Sequence, residues 1–403
     1  VGVVEFDLPL DEAVVERRLN DMDHDLLAAD PPAARVDLPS ISVVVPTVVQ
    51  RVPELERCLA SLTTTDHPRY EVILVDNRPE RPTLDPLTGL VARFPSVHVV
   101  HEPRPGISAA RNAGLLAASG EVVAFTDDDV QVDRHWLQAL GRRFATHPDE
   151  VVVTGLVVPS ELETPAQLQY EAHYGGFGGR RTFTPVHVER APGRGRGQVV
   201  ARGLDGEMLQ VFAVYGIGTY GAGANMAFRR HALVASGGFD PALGTGTPAR
   251  GGEDLAAMIS ALWSGGALGY EPAALVHHRH RRDEAGLRRQ MLASGIGFTA
   301  MLASLVVHDH HHLRTLLTLG PAALRTMARQ TVSRMAQDRS AATPGPQPSA
   351  RRTPAPRSLV ALELSGMPLG AFAYVRSRAA LARSSSDGRA ARRSLLNPSP
   401  SRS

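Results

Sequence analysis

Three consecutive carboxylates, Asp127, Asp128 and Asp129, follow directly on the apolar run VVAF at 122–125. Like charges packed this closely repel, and beside apolar residues they stay ionised only with a counter-charge. Two readings are open. Asp favours turns and helix starts, so the cluster could be a polar turn that caps a helix near Arg134. It could instead hold a divalent cation through oxygen ligands. A second acidic pair, Glu253 and Asp254 in GGEDL, stands where a helical stripe begins, a place that the helix macrodipole favours for acids. A third polar cluster, LVHHRHRR at 275–282, carries His278 and His280. It reads either as imidazole ligands or as a basic patch for phosphate or lipid. The later run HDHHH reads as a solvated surface tract.

The elements that must position these groups alternate along the chain. ISVVVP at 41–46 reads as a buried strand, and Leu55, Cys58, Leu59 and Leu62 recur at helical spacing after Pro53, a good first-turn residue. YEVILVD is a second strand ending at Asp76, and VHVVH at 97–101 a third. GISAARNAGLLAAS predicts a helix closed by Gly120. EVVAFTDDD is the fourth strand, Trp136, Leu137, Leu140 and Phe144 mark another helix, and VVVTGLVV another strand. Such alternation predicts an α/β fold with a mainly parallel central sheet flanked by helices. Ligands in such sheets bind beyond the carboxyl ends of the strands. Thr47, Asp76 and the Asp triplet all stand at such ends, so three polar tips should converge on one crevice, which favours the cation over the turn. Beyond Pro159 regularity fades, and YGGFGGRRTFTP and APGRGRGQ read as mobile loops suited to gripping a substrate. Order returns in YGAGANMAFRRHALVASGGFD and in the stripe Leu255, Met258, Ile259 and Leu262.

Composition removes several chemistries. The 403 residues are 43% hydrophobic, enough for a real core. The single cysteine, Cys58, excludes a disulfide within this chain and a thiolate zinc cluster, and its place on an apolar stripe predicts a buried structural residue. All 43 basic residues are arginine, which excludes Schiff-base lysine chemistry and a P-loop lysine. The net charge of +2 is uneven, with −7 over residues 1–40 and +9 over 331–403. The neutral stretch between them lacks the footprint of a nucleic-acid binder. The basic tail could meet anionic lipid or the acidic arm. The opening residues are charged and lack a signal peptide's apolar run, so a cytoplasmic address is expected. The seventeen-residue run Met291–Val307 predicts a buried or membrane-contacting helix rather than a spanning one.

Taken in order, SVVVPT, VILVDN, RPGISAARNAG, VVAFTDDD, GANMAFRR, GGFD and GEDL resemble bacterial family 2 nucleotide-sugar glycosyltransferases of the GT-A fold, over about Ile41 to Arg282. The resemblance implies an inverting transfer of sugar from a nucleoside diphosphate donor (UDP, dTDP or GDP) to a hydroxyl of a carbohydrate or lipid-linked acceptor, with Mn²⁺ or Mg²⁺. It sets this activity in cell-surface polysaccharide or glycolipid synthesis. The Asp triplet becomes the DxD motif, with Asp129 a direct metal ligand, Asp127 nearer the ribose or a metal water, and Asp128 in the nucleotide-sugar set. Alternation at a strand end lets Asp127 and Asp129 face the cleft while Asp128 turns away. A cation there offsets charge on the departing diphosphate, a task no lysine is present to share. By the same resemblance Asp76 accepts a hydrogen bond from the nucleobase, Thr47 contacts the nucleoside, and Arg111 lies under the nucleotide near Asp76. Asp254 is the implied general base toward the acceptor hydroxyl and Glu253 orients that acceptor. His278, with His280 second, is the implied metal histidine. After Thr47 the family's aromatic-Asn-Arg continuation is replaced by VVQR, in which Arg51 remains.

The expected organisation is an acidic arm at 1–40 and a GT-A domain at 41–282, divided into a nucleotide-binding half (41–158) and an acceptor half (159–282). A helical extension suited to membrane contact follows at 283–330, and then a basic, mostly disordered low-complexity tail at 331–403. Within that tail Leu359 to Val375 is an apolar patch suited to a docked short helix. Peripheral contact with the inner membrane face is the expected setting. An aspartyl phosphatase would carry its DxD on the first strand with Thr or Val two residues on, whereas this strand is fourth and Gln131 stands there. A non-catalytic nucleotide-sugar-binding protein of the same fold is the remaining alternative, against which intact Asp129 and Asp254 argue.

Overall fold

The computed structural model describes residues 37–174, 182–320 and 357–396. Most of the acidic arm, the GGFGGRR run and residues 321–356 lie outside the described residues.

Four short apolar runs build the first half of the sheet. β1 (Ile41–Thr47), β2 (Tyr70–Asp76), β3 (Val97–His101) and β4 (Val122–Phe125) are all parallel, in the order β3-β2-β1-β4. β1 and β4 are buried throughout, because helices cover both faces, and this is why they read as continuous apolar runs rather than alternating ones. Beyond β4 the sheet turns mixed. β5 (Val130–Val132), β6 (Glu150–Pro159), β7 (Val186–Arg190), β8 (Gln198–Arg202), β9 (Met208–Ala213), β10 (Met226–Arg229) and β11 (Ala267–His278) complete it. The order continues β4-β10-β6-β11-β7-β8-β9, with β5 paired on β11. Antiparallel β10 lies between β4 and β6, and β7, β8 and β9 form an antiparallel meander. Sequence reasoning read the meander region as mobile loops; APGRGRGQ is instead the turn and start of a hairpin between β7 and β8.

The helices are α1 (Val52–Leu62), α2 (Pro86–Val91), α3 (Ile107–Ala117), α4 (Trp136–Thr146), α5 (Pro165–Tyr174), α6 (Arg230–Ala235), α7 (Glu253–Trp263), α8 (Glu284–His308), α9 (Arg357–Gly366) and α10 (Gly370–Leu396). α1 starts at Pro53 in its first turn and buries Leu55, Cys58, Leu59 and Leu62, the spacing that predicted it. Full burial of such an aliphatic side chain contributes roughly 1.5–3 kcal/mol, so this stripe fixes the helix on the sheet. Gly120 does not close α3, which ends at Ala117 on an extended Ala118. Gly120 instead lies against β1, where a Cβ would come within 2.7 Å of the Ser42 nitrogen.

Residues 357–396 form α9 and α10 and pack on α8, so the patch Leu359 to Val375 is docked as expected, and helix runs beyond it into the stretch expected to be mostly disordered. Leu359, Val360 and Tyr374 are buried there, and Tyr374 donates to Asp240 Oδ2 at 2.8 Å. Glycines let these helices approach. A Cβ on Gly295 would collide with the Glu363 carbonyl, and one on Gly370 would meet the Ile296 carbonyl and Thr299. On another side of α8, Gly297 touches the backbone of Gly251 and Gly252, just before the acidic pair.

Candidate active site

At the tip of β4 the three carboxylates part. Asp128 turns to β1, where its Oδ2 accepts from Thr47 Oγ1 at 2.6 Å. Asp127 and Asp129 turn to the end of β11, and with His278 they place one ligand atom each within 4.8 Å of one another. His278 Nε2 lies 3.4 Å from Asp129 Oδ1, while Arg51 Nη2 holds Asp129 Oδ2 at 2.8 Å. Burial pushes the Asp127 carboxyl up, and pushes Asp128 up to about 6 despite its bond from Thr47. Burial also lowers His278, keeping the imidazole neutral and able to donate a lone pair. Two carboxylate oxygens and one imidazole suit a hard or borderline divalent cation. Of the two histidines, His278 belongs to this cluster; His280 Nε2 lies 2.9 Å from Glu171 on α5. Thr47 is nearly closed to solvent, and its hydroxyl donates to Asp128 and accepts from Val49 N–H.

α7 carries the second acidic pair. Asp254 Oδ2 accepts from Gly223 N at 2.8 Å and its Oδ1 from Leu255 N at 2.8 Å, which fixes the carboxylate at the helix start. Glu253 is buried and lines the cavity beside Asp254, and its Oε1 accepts from Arg111 Nη1 at 2.7 Å. Arg111 also reaches Asp127 Oδ1 at 3.3 Å and the Gly223 carbonyl at 3.2 Å, and its side chain is 1% exposed. Arg111, expected near Asp76, has its hydrogen bonds elsewhere: α3 packs on β1 and β2, and the long guanidinium reaches from it beneath the acidic cluster to tie Asp127 to Glu253. Burial, then the neighbouring Asp254 charge, pushes Glu253 up to about 7, against the pull of Arg111.

Asp76 stands beside Thr47 in the β1–β2 register. It is fully enclosed, and two arginines fill it. Arg78 donates through Nε to Oδ1 and Nη2 to Oδ2, both at 2.8 Å, and through its backbone N at 3.3 Å, while Arg81 Nε donates to Oδ2 at 2.8 Å. These four donors occupy the four lone-pair sites of a carboxylate. The acceptor expected to be open to a nucleobase is thus already engaged. Of the two partners, Arg81 is the more exposed, at 42% against 13% for Arg78.

A cavity of about 1030 Å³ opens from Asp127 and His278 past Asp254 toward the C-terminal helices. Its walls include Tyr170, Thr245, Arg250, Arg281, Arg289, Met291, Phe298 and Met367, none of which sequence reasoning had singled out for a site. Asn112, beside Arg111, was also passed over; it clasps Phe239 of GGFD through N–H and carbonyl at 2.9 and 2.7 Å. The adjacency of Arg111 and Asn112 in ARN was the available signal. Cys58 is buried with Sγ 3.5 Å from the Asp127 carbonyl, and burial followed by the nearby carboxylates pushes its thiol well up, so it is inert as a nucleophile. A second group, Asp309, His310 and His311, also clusters, but Asp309 already serves His311 and Trp263 Nε1.

Residues 42–233 match the family described as glycosyl transferase family 2. The chain carries a family 2 glycosyltransferase domain. It is 30% identical over 104 residues to glycosyltransferase AglE of Haloferax volcanii, covering 25% of this chain and 34% of that protein. It is 28% identical over 242 residues to the pre-mycofactocin glycosyltransferase of Mycobacterium tuberculosis, covering 60% of this chain and 43% of that one. The chain thus spans less than half the length of these two relatives. Among solved structures, a mannosyltransferase from Pyrobaculum calidifontis in complex with GDP-Man and Mn²⁺ aligns over 92% of this chain and 93% of that one, with a TM-score of 0.46 and 18% identity. The matched span holds Thr47, Asp76, Arg111 and the Asp triplet, while Glu253, Asp254 and His278 follow it in sequence.

Proposed function

We propose that the protein is a metal-dependent, inverting glycosyltransferase that moves a sugar from a nucleoside diphosphate sugar to a hydroxyl acceptor. The observation that carries this reading is the grouping of Asp127, Asp129 and His278, of which Asp127 and His278 line the cavity that Asp254 also lines. These three residues would hold Mn²⁺, which the imidazole favours, or Mg²⁺. When bound, the cation supplies Lewis-acid stabilisation of the departing diphosphate. Arg111 fixes Asp127 and Glu253 relative to each other, and Thr47 holds Asp128 out of the cleft. Asp254, held by two backbone N–H groups, takes the proton from the acceptor hydroxyl as it attacks the anomeric carbon opposite the nucleotide. One base and one displacement invert the configuration. Asp76 meets the nucleobase once Arg81, its more exposed partner, swings out.

The setting in cell-surface polysaccharide or glycolipid synthesis, peripheral to the inner membrane face, remains part of this proposal. α8 and the stretch Ser358–Arg383 are long and apolar enough to cross a membrane by length and composition, and α8 is partly buried against the domain. Exposed Leu369, Phe372 and Val375 lie beside exposed Arg376 and Arg378, a mixture suited to an anionic lipid surface. The test is thermal stability with UDP, GDP or dTDP, with and without Mn²⁺, followed by transfer assays with the sugar donor of the preferred base. One nucleotide should stabilise the protein only when Mn²⁺ is present, and Asp129→Asn should abolish that gain. Equal stabilisation in EDTA would overturn the metal-dependent reading.

A further inference from the structure

The arginines around the site fall into two sets. Arg51, Arg78, Arg81, Arg111, Arg279 and Arg282 all bind carboxylates of the chain. Arg250, Arg281 and Arg289 line the cavity and are exposed, and none of them has a carboxylate at ion-pair distance among the described residues. Arg281 acts electrostatically on His278, which places it on the donor side. Arg250 and Arg289 stand on the walls formed by the GGED loop and α8.

Arg250 carries a second signal. Its φ is +65°, the left-handed region that side chains seldom adopt. The same loop uses glycine at its other left-handed positions, Gly244, Gly246 and Gly252. Its backbone is held from several sides, with Ala249 N–H on Ser377 Oγ at 3.2 Å and Arg250 N–H on the Thr247 carbonyl at 3.2 Å, and with Gly252 against Gly297. A strained residue kept where glycine would be easier points to a use for its side chain.

Resting on the transferase reading above, we infer that the acceptor is phosphorylated, and that Arg250 and Arg289 grip its phosphate while Asp254 faces the hydroxyl that is glycosylated. Two guanidinium groups offset the charge of a phosphate, whether monoester or diester, and their planar donors match its oxygens. Of the acids on the same walls, Asp283 is committed to capping α8 at Gly286 N (2.7 Å), and Asp127, Glu253 and Asp254 belong to the catalytic end. Glu363 stands on the α9 wall. Met291, Phe298 and Met367 give the cavity an apolar side, so the phosphate can join a prenyl chain to the sugar whose hydroxyl reacts, or stand on a free sugar.

The experiment measures binding of geranyl phosphate, glucose 1-phosphate and neutral octyl glucoside below its micellar concentration to the full chain with Mn²⁺ and its preferred nucleotide. The phosphorylated probes should bind at least about tenfold more tightly than octyl glucoside, with an affinity that falls in salt. Tighter binding of geranyl phosphate than of glucose 1-phosphate assigns the phosphate to a lipid, and the reverse order to a free sugar. Arg289→Ala and Arg250→Gly should each weaken the phosphorylated probes about tenfold without changing nucleotide affinity. Arg250→Gly removes the backbone strain, so it should be at least as stable as the parent, which separates lost binding from lost folding. Equal binding of charged and neutral probes, or unchanged phosphate binding in both variants, overturns the inference. So does a loss of nucleotide affinity in either variant, which would move these arginines to the donor. Absence of nucleotide binding in the parent protein would instead strike the transferase reading itself.

Discussion

The two ends of the crevice handle charge in opposite ways. At the β1–β2 end each polar group already has its counterpart, since Asp76 is filled by Arg78 and Arg81, Asp128 by Thr47, and Asp129 by Arg51. At the α7–α8 end the cavity walls present Arg250 and Arg289 without acidic partners among the described residues. A ligand at the first end must displace bonds that the chain has made, so it gains only the difference between old and new partners. A ligand at the second end completes charges left open, and its own charge decides whether it binds. The first end is therefore built to discriminate by exchange, and the second by complementarity.

Four perturbations break or sharpen this contrast. The largest effect should come from Asp129→Asn, which removes a charged oxygen ligand from the exchange end. Sugar transfer should fall roughly 1,000-fold, with Mn²⁺ stabilisation lost alongside it, as read by initial rates and melting curves. Next is Arg111→Ala, which leaves Asp127 and Glu253 without their shared cation. Urea unfolding should show a loss of about 3–5 kcal/mol, the cost of breaking a buried pair from one side. Unchanged stability would mean that the linkage across the crevice floor is dispensable.

Gly295→Ala addresses the complementarity end, whose outer wall is α9. Its new Cβ would collide with the Glu363 carbonyl, so a destabilisation of about 1–3 kcal/mol is expected, with faster protease cleavage within residues 357–396. The smallest effect is on pH dependence. Glu253 is raised from 4.5 to about 7, so the folded state keeps this proton longer than the unfolded chain. Stability from this group should therefore fall as pH rises from 4.5 to about 7 and stay level above. Glu253→Gln removes that slope, and the variant's melting temperature relative to the parent should climb by roughly 2–4 °C across this window. A constant difference from pH 4.5 to 8 would refute the assignment.

The legible parts of the fold were those where burial alone decides. β1, β2, β4 and α1 show runs or stripes of aliphatic residues that water cannot share, and these fixed both the sheet and the strand tips. The meander was opaque because β9 is largely exposed, with Met208 and Leu209 open to solvent, and because a Gly- and Arg-rich hairpin turn imitates a loose loop. The acidic residues were found from their positions, yet their partners were not. Arg111 meets Glu253 across 142 positions, a pairing that no local pattern encodes. The filling of Asp76 was within reach, since Arg78 and Arg81 follow it at two and five residues and a turn naturally folds such neighbours back. Of the C-terminal helices the apolar patch Leu359 to Val375 was legible, whereas the run of α10 beyond it was not, since that stretch has the average composition of a linker.

The glycines of α8 have a practical corollary for recombining this protein with others. With Gly295 seated on one helix and Gly297 on the GGED loop, no side chain cushions either contact, and each partner has been shaped to bare backbone. A transplanted loop would therefore meet a foreign helix with nothing pliable between them. The natural cassette for exchange is the loop together with α7, α8 and the closing helices, moved as one block.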